Sequence, residues 1–75
     1  MSDHLLVAIG QNLKAIRLRR NLSQESLASL ADLDRTYISG VERGKRNVSI
    51  INLFKIAQAL NVKASELIDI GVAHD

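Results

Sequence analysis

Two stretches with helical apolar spacing, "SQESLASLA" from Ser23 and "RTYISGVER" from Arg35, are separated by only Asp32, Leu33 and Asp34. So short a connection makes the two helices one angled unit. Ser23 suits the N-cap of the earlier helix, Glu25 favours its dipole from the first turn, and Leu27 and Ala31 face inward. Asp32 can adopt the left-handed conformation that ends a helix, and Asp34 can then cap the next one. In that second helix Ile38 and Val41 form the buried face, and Gly44 ends it.

The flanking segments supply three more helices. Leu6, Ile9, Leu13 and Ile16 recur at helical spacing and predict a helix from about Leu5 to Arg20. Its last turn carries Arg17, Arg19 and Arg20, where cations complement the carbonyl end of the dipole. Ser49 is the expected cap of a fourth helix with Leu53, Ile56, Ala57 and Leu60 inward, and Asn61 stops it. "KASELIDI" predicts a short fifth helix ending before Gly71. There is no strand alternation, internal repeat, low-complexity run or linker. With 75 residues, 47% apolar, no proline and four glycines, the chain suits one all-α five-helix domain over residues 1–75, its two-helix unit at about 23–43. Only Tyr37 and Phe54 are aromatic, so the core must be aliphatic.

Composition excludes several functions. Without cysteine there is no disulfide, thiolate nucleophile or thiolate metal site. "MSDHLLVAIG" has an acidic residue where a signal peptide would be basic, and nothing approaches the roughly 20 apolar residues of a membrane span. The expected location is the cytoplasm. Asp3, Glu66, Asp69 and Asp75 have no spacing that suits a metal or a general acid and base, and His4 and His74 read as parts of loose termini. No catalytic residue, cofactor, metal or small-molecule ligand is expected. Charge, by contrast, is unevenly placed: Lys14 to Arg46 holds eight basic and four acidic residues, net +4, and the remainder has two basic and four acidic, net −2. One part of the molecule suits a polyanion.

Two short helices joined by a tight turn, the second tipped with polar side chains, form the helix-turn-helix pattern, and a B-DNA major groove admits one such helix. The segment "LSQESLASLADLDRTYISGVERGKRNVSIINLFKIAQAL" resembles the phage repressor and Cro-like helix-turn-helix family, often called XRE. The resemblance covers about Gly10 to Ile68. It rests on Arg17, Ser23-Gln24, Leu27-Ala28, Ile38, the "ERG" at Glu42 to Gly44, and "IAQAL". Within that family "LDRTYISGVERGKRNVSI" is most similar to restriction-modification controller proteins. The resemblance implies a lambda repressor-like fold and a small dimeric regulator that binds palindromic operators near its own promoter. Asp32 stands where the family usually has glycine, and Lys63 where it has a small cap residue.

Arg35, at the start of the recognition helix, is implied to contact a base, and an arginine there can bond bidentately to guanine. Thr36 could touch a thymine methyl or a phosphate, and Tyr37 a base edge or phosphate through its hydroxyl. The alternatives are a solvated Arg35 and a Tyr37 packed against the first helix. Gln24, Ser39, Arg43, Lys45, Arg46 and Asn47 would contact phosphates and position the backbone. Gly40, inside the helix, suggests close approach to DNA or to a neighbouring element, or simple tolerance in a short helix. By resemblance, Arg17 and Glu42 form a partly buried salt bridge between the first and third helices.

One recognition helix reads only a few base pairs, so a two-fold dimer on a palindrome is expected. Ile51, Phe54, Ile68, Ile70 and Val72 are the candidate contact, a surface on about residues 50–72; the alternative is that Phe54 and Ile68 complete the monomer core. RNA polymerase is a further candidate partner. Rival readings are a phage-type repressor, an antitoxin, and a helical protein-interaction module without DNA binding.

Overall fold

The computed structural model describes residues 3–70, and five helices follow one another along them: α1 (Asp3–Arg19), α2 (Gln24–Ala31), α3 (Arg35–Glu42), α4 (Ile50–Leu60) and α5 (Ala64–Leu67). The first four end alike. A residue one or two positions past each helix takes the left-handed conformation: Asn21 at φ 58°, Asp32 at 58°, Gly44 at 70° and Asn61 at 59°. The next amide then reaches back to the helix, with Leu22 N–H to Arg17 O, Leu33 to Ala28, Lys45 to Gly40 and Val62 to Ala57, at 2.9–3.1 Å. This paired closure satisfies carbonyls that a helix end leaves free. At three of the four ends the residue so placed is apolar and half-buried, so each turn also adds Leu22, Leu33 or Val62 to the core margin.

Helix starts are equally local. Ser23 Oγ accepts from Ser26 N–H at 2.9 Å, and Ser49 Oγ accepts from Asn52 N–H at 3.1 Å. Asp34 has the extended cap geometry but its side chain makes no capping bond. Lys63 has none to offer, and at α5 only the Glu66 carboxylate reaches back, accepting from Lys63 N–H at 3.4 Å.

The helices close around an aliphatic core. Leu13 and Ile16 come from α1, Leu27, Ala28 and Ala31 from α2, Ile38 and Val41 from α3, Leu53, Ile56, Ala57 and Leu60 from α4, and Leu67 from α5. The third helix packs against α1 and α2, while α4 packs on α2 and α5. Gly10 makes the α1–α3 approach possible. A Cβ there would collide with the carbonyl oxygen of Val41 and stand 2.7 Å from that of Glu42.

Two expectations are corrected, and one alternative is set aside. The first helix begins at Asp3, so His4 lies in a helical turn and not in a loose terminus. The fifth helix is half the expected length, ending at Leu67, because Asn12 of α1 binds the carbonyls of Leu67 and Asp69 and draws the chain aside. Phe54 and Ile68 do not complete the monomer core: they are 58% and 47% exposed. Val72, His74 and Asp75 lie outside the described residues. Among the described residues no helix is long and apolar enough to cross a membrane.

Candidate nucleic-acid interface

The tight Asp32–Asp34 turn sets the first turn of α3 at the surface, so that Arg35 and Thr36 are both exposed. Helix α3 is amphipathic. Its inward side holds Ile38, Gly40, Val41 and Glu42, and its outward side presents Arg35, Thr36, Ser39 and Arg43. At its far end the left-handed Gly44 turns the chain back, which keeps Lys45, Arg46 and Asn47 beside the helix and exposed. The result is a polar helix tip with a cationic edge, the arrangement a phosphate-flanked groove requires.

Two of these side chains are engaged with each other. The Arg46 guanidinium lies over the Tyr37 ring, 5.2 Å from its centroid, within range of a cation–π attraction. Gly40 lies alongside, and a Cβ there would be in ordinary contact, 3.5 Å, with the Arg46 side chain. Of the readings open for Gly40, the neighbour it approaches within this chain is Arg46. Tyr37 is half-buried, packs against the core, and has its hydroxyl enclosed without a hydrogen-bond partner. In this pose Tyr37 offers no hydroxyl to an outside partner, whereas the side chains of Arg35 and Thr36 stand in the open. Arg43 folds back on its own helix, its Nε donating to Ser39 O at 3.3 Å.

A buried network underlies the face. Arg17 and Glu42 are paired through two bonds, Nε to Oε2 and Nη2 to Oε1 at 3.0 Å, with the side chains 8% and 3% exposed. Arg17 Nη1 also donates to Leu22 O at 2.8 Å. Gln24 then joins the pair, its Nε2 donating to Glu42 Oε1 at 3.0 Å. Helices α1, α2 and α3 are thus tied at one carboxylate. Gln24, expected only as a phosphate contact, is anchored here through its side-chain amide.

Sequence reasoning missed several residues that matter: Gly10 at the helix crossing, Asn21 at the end of α1, Asn12, and Ile50, which is 66% exposed. A glycine inside the apolar stripe of a long helix was the available signal for Gly10. Nothing local marks Asn12, whose partners are 55 and 57 residues away.

The outer surface of α4 carries Ile50, Ile51 and Phe54, 58–67% exposed, and Phe54 borders the start of α5 at Lys63 and Ala64. Ile68 is exposed and Ile70 half-buried in the following segment.

Comparison with known proteins agrees with this geometry. The profile of a helix-turn-helix family matches residues 13–67. The control protein C.BamHI of Bacillus amyloliquefaciens is 49% identical over 70 residues, covering 92% of this chain and 86% of that protein. The control protein C.MunI of a Mycoplasma species is 52% identical over 68 residues, covering 89% and 90%. Among solved structures, the restriction-modification controller protein C.AhdI from Aeromonas hydrophila superposes with a TM-score of 0.82 at 53% identity, over 83% of this chain and 94% of that one.

Proposed function

Since the chain belongs to the helix-turn-helix family, we infer that it is a DNA-binding transcriptional regulator whose recognition helix is α3. The observation that carries this is the exposed Arg35–Thr36 tip flanked by Arg43, Lys45, Arg46 and Asn47 on a scaffold tied together beneath it. In this reading Arg35 and Thr36 contact base edges in the major groove, and the cationic edge with Ser39 contacts phosphates. Gln24 sits at the first position of α2, where free amides also favour a phosphate. Tyr37 joins the base contacts only by turning its ring outward, which requires Arg46 to leave it.

Its relatives' names point to a controller of a restriction-modification system, acting in the cytoplasm. A second copy completes the reader. One α3 spans a few base pairs, and two related by a two-fold axis would read a palindrome with half-sites about 34 Å apart or a multiple of that. The exposed Ile51 and Phe54, with Ile50 beside them and Ile68 and Ile70 beyond, supply an apolar surface suited to that contact. RNA polymerase would be the partner of a dimer that activates. Selection from a pool of random duplexes tests the whole reading: wild-type protein should enrich one palindromic sequence and Arg35→Ala should not. Enrichment of nothing by the wild type, at low salt, would remove sequence-specific DNA binding.

A further inference from the structure

The segment after α5 is short of backbone support. Helix α5 has a single turn, and among the described residues Asp69 and Ile70 make no backbone-to-backbone hydrogen bond. Among the described residues, the side-chain hydrogen bonds that hold it come from one residue on another helix. Asn12 of α1 is half-buried, and its Nδ2 donates to Leu67 O at 3.0 Å and to Asp69 O at 2.8 Å. An amide nitrogen has two hydrogens, so both bonds can form at once. The two carbonyls flank Ile68, whose side chain stands 47% exposed while Leu67 is buried. A one-turn helix and the residues that follow it would otherwise sample many poses, and each apolar side chain on them would have to be ordered at the moment of contact.

We propose that Asn12 is a positioning residue for self-association: it fixes in advance the pose in which Ile68 and Ile70 meet a second copy of the chain. This rests on the two-fold contact inferred above. Asn12 does not itself touch the second copy. Its effect passes through Ile68, and the two residues therefore act as one unit in association, which a residue serving only to stabilise the monomer would not do.

The test is sedimentation equilibrium on Asn12→Asp, Ile68→Ala and the double variant, with circular dichroism to confirm retained helix. Asn12→Asp keeps the side chain's size and removes both donors. It should weaken dimerisation by about tenfold, the loss of two modest hydrogen bonds. In that background Ile68→Ala should weaken it much less than in the wild type. Asn12→Ala, free of added charge, should act in the same direction. Dimerisation unchanged in Asn12→Ala, or Asn12 and Ile68 effects that simply add, overturns the positioning role while leaving the two-fold contact standing. If Ile68→Ala and Phe54→Ala both leave self-association untouched, the contact falls and the role of Asn12 falls with it.

Discussion

Arg46 lies over the ring of Tyr37, 5.2 Å from its centroid, and Tyr37 keeps its hydroxyl buried without a partner. Two side chains proposed above to contact DNA are therefore engaged within the protein itself in this structure. Replacing the hydroxyl should relieve an unmet polar group. Tyr37→Phe is expected to leave stability unchanged or raise it by about 1 kcal/mol in urea denaturation, since an unpaired buried hydroxyl costs on that order. A marked loss would mean that the hydroxyl has a partner in solution.

Arg46→Ala should weaken binding to operator and random duplex alike and lower the salt dependence by about one released ion, the signature of a phosphate contact. Anisotropy titrations over a range of salt read both effects. Loss confined to the operator would move Arg46 to the base-reading group.

The Arg17–Glu42 pair is buried and also anchors Gln24. Removing the carboxylate strands a guanidinium in the interior. Glu42→Ala should cost about 3–5 kcal/mol in chemical denaturation, while Gln24→Ala, which leaves the ion pair intact, should cost far less. Equal effects would place the weight of the network on Gln24.

Two interior helix glycines should answer oppositely. Gly10→Ala drives a methyl into the carbonyls of Val41 and Glu42, backbone that can move only by parting α1 from α3, and should destabilise by about 1–3 kcal/mol or more. Gly40→Ala meets only the flexible Arg46 side chain and gains up to about 1 kcal/mol of helix propensity. Thermal melts of the two variants should shift in opposite directions.

Asp32 holds a left-handed turn at φ 58° that glycine adopts without steric penalty. Asp32→Gly should raise stability by about 0.5–1 kcal/mol, the relief of part of the left-handed cost to an L residue. The melting temperature checks it, and a decrease would show that the Asp32 side chain contributes a contact of its own.

Much of this fold was legible because its boundaries are made locally. Serine caps at Ser23 and Ser49, and left-handed enders at Asp32, Gly44 and Asn61, each declare themselves within a few residues, as does the apolar spacing of Leu53, Ile56, Ala57 and Leu60. What the sequence hid depends on contacts between distant segments. The early stop of α5 follows from Asn12, more than 50 residues away. At the site, Arg35 and Thr36 could be placed by their position at a helix tip. The buried hydroxyl of Tyr37 and the anchoring of Gln24 could not, since both are set by the packing of three helices.

The most direct measurement is anisotropy binding of wild type and Arg35→Ala to the duplex upstream of the protein's own coding region and to a random duplex, across salt. If Arg35 reads a base, the wild type should bind both with steep salt dependence and prefer the upstream duplex, and Arg35→Ala should lose that preference at a discrimination cost of about 1–3 kcal/mol while keeping its random-duplex affinity nearly unchanged. Wild-type protein that binds neither duplex at low salt, or an Arg35→Ala variant that discriminates as well as the wild type, would contradict α3 as a recognition helix read through Arg35.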